Sequence, residues 1–257
     1  MPIPSLFVGH GSPMNAIETN RWTEAWTKIG LTIPKPTAIL SISAHWFVPH
    51  TGVTISTAPK TIHDFGGFPP ELYKVLYPAP GDPALARRIQ QLLAPTPVVL
   101  DDRWGLDHGT WSVLLHIYPH ADVPVVQLSI DGTQPASYHY ELGRKLAPLR
   151  DEGVLIVGSG NLVHNLRAYA FGEPDADPYD WAVHFDETAR DIIAAGDDRE
   201  LVNYEKFGRP SLLSIPTPEH YLPLLYVVAT RQTGDAIDFP VEGIDGGSVS
   251  MRAVQIG

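Results

Sequence analysis

Short apolar runs rich in valine, isoleucine and leucine recur along the chain, and each is bounded by turn residues. Such runs are typical of strands that are covered on both faces of a sheet. The predicted strands cover residues 5–8, 38–43, 52–56, 97–100, 123–129, 154–157 and 248–256.

Amphipathic segments lie between these runs. In the clearest of them Asp82 is a predicted N-cap, Pro83 takes the first helical position, and apolar residues recur at helical spacing as far as Leu93. The other predicted helices cover residues 22–29, 110–118, 138–149 and 181–195.

Alternation of strands and helices predicts an α/β fold with a central, mostly parallel or mixed sheet flanked by helices. We expect a single domain over residues 1–257, with the last strand free to lie antiparallel because no helix follows it. In open α/β sheets ligands bind beyond the carboxyl ends of the strands, so a site is expected at that edge.

Composition narrows the classes of function. The chain has 257 residues, a formal net charge of −11 and no basic cluster, which argues against nucleic acid or an anionic membrane as partner. No apolar run approaches the roughly 18 residues that would span a bilayer. The absence of cysteine excludes disulfides and thiolate metal sites. The first residues lack the pattern of a secretory signal peptide, so a cytoplasmic location is expected.

Histidines follow the ends of several predicted strands. His10 stands between two glycines in FVGHGSP, His45 ends the run SISAH, and His164 follows the small-residue turn in VGSGNLVHN. Neutral imidazole is the commonest nitrogen ligand for metals, so His10 and His45 are candidate ligands. His164 is either a further imidazole of that site or part of a helix start capped by Asn161.

A further candidate lies in PTPEHYLPLLYV. Pro223 cannot lie deep in a helix, so a helix is predicted to begin near His220 or Tyr221. His220 then stands at the helix start as a candidate ligand. Glu219 is the alternative, since a carboxylate would complete a two-histidine, one-carboxylate site for non-haem iron.

Two more histidines lie in segments that suggest an acid/base group and a substrate pocket. His108, in WGLDHGTW, is a candidate acid/base, although Asp107 alone could matter there as a helix cap. His63 and Phe65, in TIHDFGGFPPELY, line either a pocket for a flat substrate or an ordinary packed loop. The histidines predicted to be structural are His50, His116, His120, His139 and His184.

Taken in order, these motifs resemble those of the class III extradiol ring-cleavage dioxygenases, and more narrowly their DOPA 4,5-dioxygenase-like branch. The resemblance covers essentially the whole chain and rests on FVGHGSPMN, SAHWF, IHDFGGFP, DHGTW, GSGNLVHNL and TPEHYLPLLYV. It implies an α/β fold with one metal site.

The resemblance also implies roles for individual residues. His10, His45 and His220 match metal ligands. His164 matches a histidine near the metal that counts as a ligand in zinc-occupied members and as an acid/base in the wider family. His108 matches a histidine that can bond substrate or oxygen.

The activity that the resemblance implies is extradiol cleavage of a small catechol by dioxygen, with both oxygen atoms incorporated. One divalent metal per chain is expected, Fe(II) for activity, with Zn(II) able to occupy the same site. Two alternatives stay open on the sequence: a zinc-dependent hydrolase, whose metal lowers the pKa of a bound water to about 7, and a non-catalytic metal-binding protein of the same fold.

Overall fold

The structure, a computed structural model, describes residues 2–257. Its strands are β1 Ser5–Gly9, β2 Ala38–Val48, β3 Gly52–Thr54, β4 Val99–Asp101, β5 Val125–Asp131, β6 Val154–Gly160, β7 Ile237–Val241, β8 Ile244–Asp245, β9 Val249–Ser250 and β10 Ala253–Ile256. Its α-helices are α1 Arg21–Thr32, α2 Pro83–Leu93, α3 His108–Ile117, α4 Ala136–Leu146, α5 Asp180–Ala195, α6 Arg209–Ser214 and α7 Leu222–Val228. Short 3-10 helices cover Pro13–Ala16, Leu72–Lys74, Ala147–Arg150 and Asp198–Phe207.

Eight of the strands described between residues 2 and 257 form one mixed sheet in the order β4-β3-β5-β2-β6-β1-β10-β7. Its middle, β5-β2-β6-β1, is parallel. At one side β10 and β7 are added antiparallel, and at the other β3 runs antiparallel to β5 and parallel to β4. The predicted fold class, an α/β fold with a mixed central sheet flanked by helices, is confirmed.

The central strands are apolar throughout because both faces of the sheet are covered. Successive residues of a strand point to opposite faces, and accordingly Ile39 and Leu40 belong to different hydrophobic clusters. The cluster of Leu40 includes α2, α4, α5 and α7, whereas that of Ile39 includes α1 and α3. All residues of β1, β5 and β6 are buried.

Helix ends follow the sequence signals closely. Asp82 caps α2 by accepting the backbone N–H groups of Ala84 and Leu85, as predicted. The helix predicted near His220 begins at Leu222, with Pro223 in its first turn. Helix α4 ends at Leu146, earlier than predicted, and a 3-10 turn containing Pro148 follows it.

Other boundaries differ from the prediction. The strand predicted over residues 248–256 is divided into β9 and β10, and β10 lies antiparallel beside β1. The small-residue run Gly158–Gly160 is not a turn but the end of β6. No helix begins at Asn161; His164 instead forms a single bridge with Val249. Among residues 2–257, no helix combines the length and apolar character needed to span a membrane.

The parallel register brings the chain's site candidates to one edge of the sheet. Gly9 at the end of β1 lies opposite Gly160 at the end of β6, and Ser159 lies opposite Ser43 of β2. His10 directly follows β1. His45 does not follow a strand end as expected, because β2 continues to Val48 after an irregularity in its register. The carboxyl edge of β1, β2 and β6 is therefore where the site must lie.

Candidate metal centre

Three of the predicted residues converge at this edge. One ligand-type nitrogen from each of His10, His45 and His220 lies within 4.8 Å of the other two. His10 comes from the end of β1, His45 from β2, and His220 from the segment that leads into α7. Residues as distant in sequence as His10 and His220 are thus brought together at one edge of the sheet.

One pair of nitrogens in the trio has the spacing of two ligands of one ion. Nε2 of His10 and Nε2 of His45 lie 3.1 Å apart. Two nitrogens on a tetrahedral metal, each about 2.05 Å from it, lie about 3.3 Å apart. When both nitrogens carry lone pairs, a cation between them removes their repulsion, so the arrangement suits a metal ion.

The hydrogen bonds of His10 identify the nitrogen that faces the site. Ser159 donates its hydroxyl hydrogen to the carbonyl of Gly109 at 2.5 Å. Its oxygen lies 3.0 Å from Nδ1 of His10 and must therefore accept from that nitrogen. Nδ1 of His10 carries the hydrogen, and the lone pair of Nε2 is free for a metal.

Glu219 orients His220 in a similar way. Its carboxylate oxygen lies 3.3 Å from Nδ1 of His220 and accepts the hydroxyl of Thr217 at 2.7 Å. Glu219 was considered as an alternative ligand, but the converging group contains His220 and not Glu219. Nε2 of His220 is the nitrogen left free.

Asp64, which the sequence analysis did not single out, contacts two histidines. Its Oδ2 lies 2.9 Å from Nδ1 of His108 and 3.6 Å from Nδ1 of His45, and its Oδ1 accepts the backbone N–H of His108 at 2.8 Å. Burial alone would raise the pKa of Asp64, but the hydrogen bonds and charge of His108 outweigh it and lower that pKa. The only signal in the sequence was its position beside His63 in IHDFGGFP.

His108 lies beside the three converging histidines rather than among them. His108 is the first residue of α3, and Asp107 caps that helix by accepting the backbone N–H of Thr110. His108 therefore belongs to a helix-cap segment and also lies at the site. The rings of His108 and His45 have centroids 3.8 Å apart. His108 is buried.

His164 flanks the group on its other side. Its ring lies parallel to that of His220, with centroids 3.5 Å apart and 8° between the planes. The converging trio found among residues 2–257 does not include it. The backbone N–H of His164 is bound by the carbonyl of Ser214, which fixes this position beyond β6.

His63 and Phe65 lie next to His108. Phe65 packs edge-on against the His108 ring, with centroids 5.5 Å apart. His63 places Nε2 3.0 Å from the carbonyl of Val75 and packs against Trp111. Phe65 therefore borders the site directly, whereas His63 supports it from behind.

Close backbone approach explains two glycines at the edge. A Cβ on Gly9 would lie 2.5 Å from the carbonyl oxygen of Ser250, and one on Gly160 would lie 2.1 Å from that of His220. Asn161 donates its backbone N–H to the same His220 carbonyl. The glycine at the end of β6 thus lets the His220 segment pack against the sheet.

Burial keeps these imidazoles neutral. Burial, reinforced by the neighbouring histidines, lowers the pKa of His10 and of His220 well below the ordinary value. Burial and the nearby His108 lower the pKa of His45 to about 3, and burial lowers that of His164 to about 4. Neutral imidazole is the form that binds a metal, so the trio fits a single divalent ion.

The histidines predicted to be structural are outside this group. His139 is buried and places Nδ1 2.9 Å from the hydroxyl of Tyr226. His116 bonds the carbonyl of Asn15.

Comparison with known proteins agrees with the fold and identifies the family. Residues 6–213 match the family model described as the catalytic LigB subunit of aromatic ring-opening dioxygenase. The chain belongs to this family of ring-cleaving dioxygenases, which are oxidoreductases that use a single non-haem metal.

Individual relatives are similar over nearly their full length. The chain is 55% identical to a protein of Escherichia coli K12 named 4,5-DOPA dioxygenase extradiol, covering 99% of this chain and 95% of that one. It is 39% identical to a Beta vulgaris protein of the same name, over 96% of this chain and 93% of that protein. A crystal structure of an uncharacterized Escherichia coli K12 protein superposes with a TM-score of 0.87 at 50% identity, covering 99% of this chain and 100% of that chain.

Proposed function

We propose that the protein is an extradiol dioxygenase that opens the ring of a DOPA-like catechol by 4,5-cleavage, with one catalytic domain over residues 1–257. The observation that carries this proposal is the convergence of three neutral imidazoles, with an oxygen of Ser159, Asp64 or Glu219 facing Nδ1 of each. Family membership supports the reaction class. The names of the relatives support the choice of substrate.

His10, His45 and His220 are the proposed metal ligands, and Glu219 is assigned to the orientation of His220. The metal, Fe(II) in the active form, would supply the redox chemistry that couples oxidation of the catechol to reduction of dioxygen. Zinc suits the same nitrogen donors but has no redox chemistry. Zinc-loaded protein is therefore proposed to be correctly folded and inactive.

His108 and His164 are the proposed acid/base groups. A catechol must lose a proton to chelate a cation, and a neutral imidazole beside the site can accept it. The pKa of about 4 that burial gives His164 keeps it neutral at neutral pH. His164 is assigned this role rather than that of a fourth ligand because it stacks on His220 and lies outside the converging trio.

Phe65, with His63 behind it, is proposed to form one wall of the catechol pocket. An aromatic side chain packed edge-on against His108 offers a flat apolar surface beside a proton acceptor. This combination suits a substrate with one apolar ring and two adjacent hydroxyl groups. The proposed partners are accordingly a small catechol and dioxygen, in the cytoplasm, and no nucleic acid.

The test is anaerobic reconstitution of metal-free protein with Fe(II) or with Zn(II), followed by L-DOPA or simpler catechols and air. We expect oxygen uptake and a coloured ring-opened product with iron alone, and neither with zinc. Turnover of a hydrolysable substrate by zinc-loaded protein without oxygen uptake would point to the hydrolase alternative. Metal binding without any turnover would point to a binding protein.

A further inference from the structure

A single carboxylate connects the proposed metal ligands with the proposed acid/base. Asp64 contacts Nδ1 of His108 at 2.9 Å and Nδ1 of His45 at 3.6 Å through the same oxygen, Oδ2. Its other oxygen accepts the backbone N–H of His108 at 2.8 Å. Both oxygens of Asp64 are therefore directed at the site.

The surrounding loop holds Asp64 in place. Ile62 and Leu106 are joined by a backbone hydrogen bond, and Trp111 of α3 donates its ring N–H to the carbonyl of Ile62 at 2.8 Å. The segment before Asp64 is thus tied to the start of α3, the helix that begins with His108. The side chain of Asp64 is 15% exposed.

An ionised carboxylate accepts hydrogen bonds and donates none. Nδ1 of His108 must therefore carry the hydrogen in this contact, and Nε2 is left with the lone pair. Phe65 packs against the same ring, and the His45 ring lies 3.8 Å away between centroids. The ring of His108 is fixed both in its tautomer and in its orientation.

We propose that Asp64 is a positioning residue that holds His108 in the Nδ1–H tautomer, so that Nε2 is available to take a proton from substrate. Through His45 the same carboxylate helps to direct a ligand nitrogen toward the metal. This inference rests on the proposed function for the role of His108, but the tautomer itself can be measured without any activity.

Asp64→Asn is the decisive variant. The amide keeps an oxygen for the backbone N–H of His108 and places an NH2 group where Oδ2 was. Because that group donates, it favours the tautomer of His108 with hydrogen on Nε2. The matched control is Asp82→Asn in the N-cap of α2, near the amino end of β5, where asparagine caps as well as aspartate.

The first readout is nitrogen NMR of histidine-labelled, zinc-loaded protein, with the His108 signal assigned by its loss in His108→Gln. We expect the Nδ1–H form in the wild type and in Asp82→Asn, and the Nε2–H form in Asp64→Asn. The same tautomer in Asp64→Asn and wild type would overturn the proposal.

The second readout is the kinetics of the iron-loaded protein. We expect kcat of Asp64→Asn to fall by about 10²- to 10⁴-fold, the usual contribution of a general acid or base, with little change in KM and with the melting temperature retained. An unchanged kcat would overturn the role assigned to Asp64. If the wild type itself cleaves no catechol, the proposed function fails while the NMR comparison still decides the tautomer.

Metal stoichiometry separates this role from direct metal binding by Asp64. Oxygen and nitrogen atoms of Asp64, His45 and His108 also lie within 4.8 Å of one another. We expect one zinc ion per chain in both wild type and Asp64→Asn. Two zinc ions in the wild type and one in the variant would contradict the proposal, because Asp64 would then be a ligand.

Discussion

At the scale of single residues, the acceptors on Nδ1 matter as much as the imidazoles. Ser159, Asp64 and Glu219 each face Nδ1 of one histidine of the trio. Such outer groups fix the tautomer of a ligand and typically change metal affinity by about 10- to 100-fold when removed.

Ser159→Ala tests this directly. Without its hydroxyl, Nδ1 of His10 loses its acceptor, and metal affinity is expected to fall by about 10- to 100-fold. Competition with a coloured chelator measures the loss. Ser112→Ala is the control, since the buried Ser112 hydroxyl has no hydrogen-bond partner among the described residues. Equal affinities of the two variants would show that Ser159 does not orient His10.

His139 predicts a pH dependence of stability away from the site. Burial lowers its pKa to about 4, against contrary effects of nearby backbone and Asp131. The unfolded chain, with an ordinary pKa of about 6.5, therefore binds a proton that the folded chain does not. The contribution of His139 to the free energy of unfolding is therefore fully present above about pH 6.5. It decreases as the pH falls toward 4, at a rate of up to about 1.4 kcal/mol per pH unit.

Urea unfolding of metal-free protein between pH 7 and pH 5 measures this effect. His139→Gln is expected to make the decline of the unfolding free energy with acidity shallower. His184→Gln is the control, because the His184 side chain lies in solvent on α5. An identical pH slope in wild type and His139→Gln would contradict the assignment.

At the scale of elements, the site depends on how closely β6 approaches the segment before α7. Asn161 binds the carbonyl of His220, and Gly160 leaves no room for a side chain against that carbonyl. Small changes at this contact must move His220.

Gly160→Ala places a methyl group 2.1 Å from the His220 carbonyl oxygen unless the backbone shifts. We expect a loss of about 1–3 kcal/mol in unfolding free energy, as for other overpacked interiors, together with weaker metal binding. Gly66→Ala is the control for stability, since a Cβ there meets nothing within 4 Å. Thermal unfolding and metal titration of both variants measure these two effects. A Gly160→Ala protein as stable as the Gly66→Ala protein would contradict this account of the contact.

The elements that the sequence predicts well are those with a strong periodic or apolar pattern. The central strands and α2 are of this kind. Strand β7 was missed because IDFPV contains a charge and Pro240, features that suit the edge position it occupies. The small residues of the GSG run are typical of a turn, whereas in the fold they allow close packing of β6.

The candidate site was predictable to a similar extent. His10 and His45 stand out by their position after apolar runs, and His220 by its position at a predicted helix start. Asp64 and Ser159 do not, because their roles arise from contacts that are distant in sequence: Asp64 lies 44 residues from His108, and Ser159 lies 149 residues from His10. Only the packed fold reveals such pairs.

At the scale of the whole molecule, the proposed metal site joins β1, β2 and the segment before α7. An ion that binds only the folded chain stabilises it, by about 2.7 kcal/mol at 100 times the dissociation constant. Zinc is expected to raise the melting temperature of the wild type, and to raise that of His10→Ala much less. Equal shifts in the two proteins would place the ion elsewhere.

The central claim is tested most directly by the fate of dioxygen. Iron-loaded protein is given L-DOPA and dioxygen labelled with the heavy isotope, and the product is examined by mass spectrometry. The account predicts a ring-opened product that contains both labelled oxygen atoms, formed with iron and not with zinc. The carboxylate oxygen of the product is the decisive one, because an aldehyde oxygen exchanges with water. A product with no labelled oxygen would contradict the account.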